Sequence, residues 1–144
     1  MAAALTPMSE PFSFEIRVYW EDTDAGGIVF YANYLKFFER ARTKWLRHLG
    51  QGQQVLREQL GGMFVVSETS VRYLHSARLD DRLRVTAQLA KPGRASLVIA
   101  QQAWRLNPDH SQTLLAEGTI RIGWVDASTL QPGRIPAQIL EVLS

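Results

Sequence analysis

Alternation of apolar and polar residues predicts five β-strands in the chain. The first covers residues 12–20, where one face is formed by Phe14, Ile16, Val18 and Trp20. The others cover residues 63–74, 83–91, 95–106 and 114–126. Turn residues occupy KPGR (91–94) and NPDHSQ (107–112), and both stretches are far shorter than the dozen or so residues that a parallel crossover needs. The strands on either side of each stretch are therefore predicted to pair antiparallel.

The spacing of apolar residues changes to three and four positions between residues 33 and 50, which predicts a long amphipathic α-helix. Its predicted buried face comprises Tyr34, Leu35, Phe37, Phe38, Ala41, Trp45, Leu46 and Leu49, and the opposite face carries Lys36, Arg40, Lys44 and Arg47. Gly50 is the residue type that ends a helix in the left-handed conformation. One strand, one long helix and an antiparallel meander predict an α+β fold, in which the sheet wraps around the helix.

The composition predicts one cytoplasmic domain over residues 1–144, with residues 1–11 as a mobile lead-in. The chain has no cysteine and three histidines, which disfavours disulfides, thiolate catalysis and a transition-metal site. Its net charge of +2 comes from 16 basic and 14 acidic residues without a basic stripe, so no nucleic-acid partner is expected. Neither a signal peptide nor a run of about 20 apolar residues occurs, so no membrane insertion is expected.

Two carboxylates lie close together in the stretch WEDTDAGGIVFYANY (20–34), just before a glycine pair and an aromatic run. From the residues alone, Asp22 and Asp24 have a structural interpretation, because aspartate at a turn hydrogen-bonds nearby backbone. The functional interpretation is that Gly26 and Gly27 let a ligand approach the backbone. The first N–H groups of the following helix would then polarise a carbonyl or stabilise an oxyanion. Both interpretations stay open on these grounds.

The chain resembles the hotdog-fold acyl-CoA thioesterases, in the branch that holds 4-hydroxybenzoyl-CoA thioesterase and the Tol-Pal-associated acyl-CoA thioesterase. The resemblance is carried by EDTDAGGIVFYANYLKFFERAR (21–42), RYLHSARLDDRLRV (72–85) and GRASLV (93–98), and it covers most of residues 14–126. It implies hydrolysis of a short-chain or aromatic acyl-CoA to a free acid and coenzyme A, without a metal or bound cofactor. It also implies a homodimer or homotetramer, whose active sites take residues from two chains.

The resemblance assigns Asp24 as the catalytic carboxylate, acting either as general base for water or as nucleophile on the thioester carbon. It assigns the backbone N–H of Tyr31 to polarise the thioester carbonyl, at a position where Tol-Pal-associated members usually carry His and the hydroxybenzoyl-type pattern carries Tyr. Substrate contacts are implied for Gly27, Met63, Phe64, Val65, Arg94 and Ser96. Arg94 and Ser96 would hold the phosphates of coenzyme A, where a family Arg-Arg-Lys run is reduced to Gly93-Arg94-Ala95 and Lys91 is a candidate for further charge.

Two alternatives compete with the thioesterase hypothesis. A hotdog hydratase needs an Asp followed five residues later by His, whereas the fifth residue after Asp24 is Val29. A non-catalytic acyl-CoA-binding or scaffolding protein, linked to phospholipid synthesis or to the Tol-Pal system, stays open. Another hotdog branch uses a helix carboxylate in catalysis, but here Glu39 is expected to form an ion pair with Arg40 or Arg42.

Overall fold

The computed structural model describes residues 11–143, so the predicted lead-in lies outside the described residues except for Pro11. Within this range the elements are β1 (Phe12–Arg17), a short 3-10 helix (Trp20–Asp22), α1 (Asn33–His48), α2 (Gln53–Leu60), β2 (Gly62–Tyr73), β3 (Arg82–Pro92), β4 (Ser96–Leu106), β5 (Gln112–Asp126) and α3 (Ala137–Leu143). The strands form one antiparallel sheet in the order β1-β3-β4-β5-β2. The predicted α+β class and both predicted hairpins are confirmed.

Helix α1 packs against one face of the sheet and supplies the centre of the core. Phe37, Phe38 and Ala41 are fully buried. A Cβ atom on Gly118 of β5 would lie 2.8 Å from the carbonyl oxygen of Ser70 in the neighbouring strand β2, so a side chain at this position would force the two strands to shift. The predicted burial of Leu35 is wrong, because one sheet covers only part of the helix surface and Leu35 is 42% exposed beside it.

A polar network joins α1 to the sheet. Gln101 of β4 is 1% exposed, and its Nε2 donates to the carbonyl oxygens of Phe38 and Thr86 at 3.0 Å each. Its Oε1 accepts a hydrogen bond from a guanidinium nitrogen of Arg42 at 2.9 Å. Burial lowers the pKa of Arg42. The expected ion pair of Glu39 is wrong, since no pair involving it lies within 4.0 Å among residues 11–143.

Two predicted elements end at other residues in the structure than the sequence pattern predicts. The helix predicted to end at Gly50 stops at His48, and Gly50 has the expected left-handed φ of 76°. The first strand stops at Arg17 instead of residue 20, because the chain turns into the 3-10 helix. Trp20, predicted to be on the buried face, is 80% exposed as a result.

The two ends of the sheet carry different parts of the chain. At one end Gly62 lies opposite Asp126, close to the β3–β4 turn. At the other end Tyr73 lies opposite Ala116, and the loop between β1 and α1 joins the sheet there. Val65 lies near the first of these ends and Tyr73 at the second. At about 3.3 Å per residue along β2, about 26 Å separates the two residues. Strand β2 is also an edge of the sheet, since its only strand partner among residues 11–143 is β5.

Candidate active site

Asp22 is buried and holds the loop to the start of α1. It is 6% exposed, and its carboxylate accepts hydrogen bonds from the N–H of Tyr19 at 2.9 Å and from Nδ2 of Asn33 at 2.8 Å. Its carbonyl oxygen accepts the N–H of Phe30 at 3.1 Å. Asp22 therefore fixes both ends of the segment that carries Asp24.

Asp24 is exposed in a tight turn. Its Oδ1 accepts the N–H of Gly26 at 2.8 Å, and its carbonyl oxygen accepts the N–H of Gly27 at 3.0 Å. Gly27 has a φ of 80°, which a side chain would disfavour. Among residues 11–143, Oδ2 of Asp24 has no hydrogen-bond partner. Asp24 lines a cleft of about 410 Å³ with Trp20, Thr23, Ala25, Gly27 and Leu79. Oδ2 of Asp24 is therefore available to a ligand.

Tyr31 lies at the mouth of α1, two residues before its first helical residue. The N–H of Asn33 donates to the carbonyl oxygen of Phe30 at 2.8 Å, whereas the N–H groups of Tyr31 and Ala32 have no acceptor among the residues described. Tyr31 itself is 63% exposed. An accessible, unpaired N–H at the positive end of a helix suits a polarised carbonyl or an oxyanion.

An aromatic wall, formed by Phe30, Tyr31, Tyr34 and Tyr73, flanks the start of α1. The ring of Tyr73 lies 5.9 Å from that of Tyr31 and 5.7 Å from that of Tyr34. The hydroxyl of Tyr34 accepts the N–H of Ala77 at 3.1 Å. Burial raises the pKa of Tyr34, and burial with the neighbouring Tyr31 raises the pKa of Tyr73. Both phenols are therefore uncharged at neutral pH, and the wall is largely apolar.

The predicted site residues fall into two groups in one chain. Asp24, Gly27 and Tyr31 lie at the sheet end that carries Tyr73, whereas the other group comprises Met63, Phe64, Val65, Arg94 and Ser96 at the opposite end. Val65 of β2 and Ser96 of β4 both pair with Gly123 of β5, which brings the second group together across three strands. The two groups lie at opposite ends of the sheet and do not form one site within the chain.

Phe64 faces inward, between Met63 and Val65. It is 5% exposed, with its ring 5.1 Å from that of Trp124. The side chain of Gln53 in α2 binds both backbone groups of Phe64 at 3.0 Å each. Val65 is 36% exposed on the other side of the strand. The predicted substrate-contact segment, residues 63–65, therefore forms a rigid ledge at this end of the sheet, held in place by the hydrogen bonds from α2.

Sequence reasoning missed Asn33 and Tyr73 as site residues. Asn33 is a buried polar residue at the first position of a helix, and Tyr73 continues the alternating pattern of β2. Each feature could have marked its residue as a candidate for the site. The contacts of these two residues with Asp22 and Tyr31, however, are determined by tertiary structure alone. Within residues 11–143, no three His, Asp or Glu side chains are grouped to hold a metal ion, and no helix has the length and apolarity to span a membrane.

Comparison with known proteins agrees with this architecture. Residues 18–143 match the family model of the thioesterase-like superfamily. The chain is 39% identical to acyl-CoA thioesterase YbgC of Haemophilus influenzae over 89% of this chain and 90% of the relative. It is 40% identical to acyl-CoA thioester hydrolase YbgC of Escherichia coli O6:H1 over 90% and 92% of the two chains.

The fold is similar to that of 4-hydroxybenzoyl CoA thioesterase from Pseudomonas sp. strain CBS-3. The TM-score is 0.81 at 21% identity, covering 93% of this chain and 99% of that one, a likeness that concerns the fold alone. It confirms the predicted hotdog fold. The family match and the extent of the identities establish that the chain belongs to the thioesterase-like superfamily and is a thioester hydrolase.

Proposed function

We propose that this protein hydrolyses acyl-CoA to a carboxylic acid and coenzyme A, with Asp24 as the catalytic carboxylate. The observation that carries the proposal is a carboxylate oxygen without a partner among residues 11–143, in the same loop as the unpaired N–H of Tyr31. The curated relatives are named acyl-CoA thioesterases, which supports the substrate class. A cytoplasmic location fits a coenzyme A substrate and a chain without cysteine.

Asp24 has two chemical routes to the same products. As general base it takes a proton from water, the hydroxide oxygen bonds to the thioester carbon, the carbon–sulfur bond breaks, and the thiolate takes the proton back from Asp24. As nucleophile its free oxygen bonds to the thioester carbon, and the carbon–sulfur bond breaks to release the thiolate and leave an anhydride; water then cleaves the anhydride to the free acid and the Asp24 carboxylate, and the proton that water loses goes to the thiolate. In both routes the Tyr31 N–H stabilises the negative charge that develops on the carbonyl oxygen. The structure supports both routes equally.

The aromatic wall favours a short-chain or aromatic acyl group. The exposed rings of Tyr31 and Tyr73 lie beside the helix start, over the buried Tyr34. An aromatic acyl group can pack against such rings through offset or edge-to-face contacts. Met63, Phe64 and Val65 are proposed to form the facing wall of the acyl pocket, with Phe64 packed behind the other two. The enzymatic function is favoured over a non-catalytic binding protein because the relatives are named acyl-CoA thioesterases.

The active site is proposed to form between two copies of the chain. Asp24 lies in the loop at the Tyr73 end of the sheet, whereas Val65 lies about 26 Å from Tyr73 along β2, too far for one thioester to reach both ends. Strand β2 is an edge, and residues 65–70 are exposed along it. Antiparallel pairing of β2 with its copy brings the ledge of one chain beside the aromatic wall of the other. A homotetramer would contain two such dimers.

The charges on β2 are compatible with this pairing. Glu68 and Arg72 lie symmetrically on either side of Ser70, and each forms an exposed ion pair with β5, Glu68 with Arg121 at 3.5 Å and Arg72 with Glu117 at 3.7 Å. A twofold axis at Ser70 would set Glu68 of one copy opposite the partner's Arg72, so the pairing places no like charges directly across the interface. The unpaired backbone groups of the edge strand supply the remaining hydrogen bonds.

Release of free thiol from acyl-CoA tests the proposal, and the chain contributes no background because it has no cysteine. Asp24→Asn should lower turnover by about 10²–10⁴-fold, the loss expected for a general base, and leave folding intact. Near-normal turnover by this variant would overturn the role of Asp24. Binding of acyl-CoA by the wild-type protein without any thiol release would support the scaffolding alternative.

Mixed dimers test whether the site is shared. Arg94→Ala is expected to raise KM, so a dimer of one Asp24→Asn chain and one Arg94→Ala chain contains one site with both wild-type residues if the site is shared. That dimer should show wild-type KM with half the turnover of the wild-type dimer. If each site belongs to one chain, every active site in the mixture retains the raised KM. This second result would refute the two-chain site but not the role of Asp24.

A further inference from the structure

Two large apolar side chains, which the proposed mechanism does not use, bound the cleft beside Asp24. Trp20 is 80% exposed and Leu79 is 41% exposed, and both line the cleft of about 410 Å³ that Asp24 also lines. These two side chains are called the apolar lip. Trp20 follows β1 and Leu79 precedes β3, and these two strands are neighbours in the sheet. The lip therefore lies on the β1–β3 side of the sheet end, away from the edge strand β2.

Backbone hydrogen bonds hold the two halves of the lip together. The N–H of Val18 donates to the carbonyl oxygen of Asp81, and the N–H of Asp80 donates to the carbonyl oxygen of Val18, at 2.9 Å each. These bonds join the segment just before Trp20 to the turn that carries Leu79. Both side chains thus extend from fixed backbone, so a ligand that packs between them does not have to order the chain first.

The lining of the cleft suits an apolar ligand. Besides Asp24 and the lip, the cleft is lined by Thr23, Ala25 and Gly27. The hydroxyl of Thr23 already donates to the carbonyl oxygen of Trp20 at 2.8 Å. Large apolar side chains that stay exposed around one concave site indicate a binding surface. A ligand that covers the lip therefore needs an apolar part close to Asp24.

The direction of the cleft identifies this apolar part as the acyl group. In the proposed mechanism the thioester carbon lies between Oδ2 of Asp24 and the N–H of Tyr31. In the proposed dimer the partner's ledge and the partner's Arg94 approach from the β2 side, so coenzyme A enters from there. The carbon chain on the other side of the carbonyl then continues away from β2. The aromatic wall and the partner's ledge enclose its first atoms, and its far end reaches the lip.

We propose that Trp20 and Leu79 form a second acyl subsite, which binds the far end of the acyl group and sets the preferred acyl length. The inference rests on the proposed function and adds a subsite that lies within one chain. An acyl chain that crosses the turn of Asp24 covers one face of the Trp20 indole. Removal of about 40–70 Å² of apolar surface from water strengthens binding about five- to twentyfold, at about 25 cal/mol per Å².

Thiol release from acetyl-CoA and hexanoyl-CoA tests the subsite. The measured quantity is the ratio of kcat/KM for hexanoyl-CoA to kcat/KM for acetyl-CoA, because an acetyl group has no carbon beyond its methyl group to reach the lip. Trp20→Ala should lower this ratio about five- to twentyfold, and Leu79→Ala about two- to fivefold, since leucine offers less apolar surface. Trp20→Phe, which keeps an aromatic ring, should lie between Trp20→Ala and the wild type.

Val142→Ala is the matched control for Leu79→Ala. Val142 is 42% exposed and lies on α3, so this variant loses apolar surface at a similarly exposed position outside the cleft. It should leave the ratio unchanged. Trp20→Ala should keep the wild-type midpoint of urea unfolding, because the side chain is mostly in solvent. Losses of equal size on both substrates would leave the ratio unchanged and overturn the subsite.

Acrylamide quenching of tryptophan fluorescence tests the subsite without turnover. Trp45 and Trp124 are buried and Trp104 is half-buried, so the difference between the wild type and Trp20→Phe reports on the exposed Trp20. S-hexyl coenzyme A is a thioether, which has no carbonyl group to hydrolyse. It should reduce the quenching of Trp20, whereas coenzyme A, which has no acyl group, should not.

The outcomes separate the subsite from the proposed function. If Asp24→Asn abolishes turnover while Trp20→Ala keeps the wild-type ratio, the subsite is wrong and the thioesterase mechanism stands. If no acyl-CoA releases thiol but S-hexyl coenzyme A protects Trp20 from acrylamide, the proposed hydrolysis is wrong and the apolar subsite stands. Protection of Trp20 by a rise in protein concentration, without ligand, would show that a second copy covers the lip and would overturn the subsite.

Discussion

Asp22→Asn tests whether the buried carboxylate holds the start of α1. In the wild type each carboxylate oxygen accepts one hydrogen bond, from the Tyr19 N–H at 2.9 Å and from Nδ2 of Asn33 at 2.8 Å. An asparagine side chain has one acceptor oxygen, so its NH₂ group must face one of these two donors. A buried donor then loses its acceptor. Hydrogen bonds to charged groups contribute about 1.5–3 kcal/mol, and we expect the free energy of unfolding to fall by that amount.

A second substitution should reverse the loss. Asn33→Asp alone removes the donor and sets two carboxylates at hydrogen-bond distance, so it should also destabilise. In the double variant the new amide at residue 22 donates to the new carboxylate at residue 33, and its oxygen accepts the Tyr19 N–H. Both hydrogen bonds are restored with the charge on the other residue. The coupling free energy between Asp22 and Asn33 should therefore favour the double variant by about 1–3 kcal/mol.

Urea unfolding at one fixed protein concentration measures these differences, because the stability of the proposed dimer would depend on concentration. Thiol release measures the consequence for the site. The carbonyl oxygen of Asp22 also accepts the N–H of Phe30, so a shift of Asp22 displaces the segment that carries Asp24 and Tyr31. Stability and kcat/KM should fall together in Asp22→Asn and recover together in the double variant. Additive costs, with the double variant less stable than either single one, would refute this reasoning.

Two further predictions concern single positions. Tyr31→Phe should keep turnover within about threefold of wild type in the thiol-release assay, because the backbone N–H survives the change; a loss as large as that of Asp24→Asn would place the phenol in the chemistry. Gly62→Ala should lower the free energy of unfolding by about 1–3 kcal/mol, since its Cβ would lie 2.2 Å from Cζ2 of Trp124. The control Gly123→Ala meets nothing closer than 3.8 Å and should be tolerated, so equal losses would contradict the packing argument.

The sequence pattern correctly predicted the features that depend only on neighbouring residues. The helix stop at Gly50 and the turns at KPGR and NPDHSQ depend on residues within a few positions, and the structure has them where they were predicted. Helix α2 was missed because it is short: it presents only Leu56 and Leu60 to the core, too brief a periodic pattern to identify a helix from sequence. It is held by a tertiary contact, the pair of hydrogen bonds from Gln53 to Phe64.

The candidate site divides in the same way. The motif around Asp24 and Tyr31 is continuous in sequence, so the family resemblance could propose its roles, whereas residue types alone left a structural interpretation of Asp24 open. Sequence could not indicate that Val65 lies at the other end of the sheet from Asp24, because that depends on strand register. It also could not indicate that Ile135 hydrogen-bonds to Arg94, because backbone hydrogen bonds between distant segments carry no residue signature. The sequence pattern thus does not determine which residues of distant segments lie side by side.

The two carboxylates of Asp22-Thr23-Asp24 have separate tasks because the chain direction changes between them. Asp22, at the end of the 3-10 helix, points inward, and both of its oxygens accept hydrogen bonds. Asp24, two residues on, points outward and keeps one oxygen without a partner among residues 11–143. A buried carboxylate whose two oxygens both accept hydrogen bonds holds a loop in place but is not accessible to a substrate. The catalytic role proposed for Asp24 needs an accessible oxygen, and the hydrogen bonds of Asp22 fix the loop that presents it.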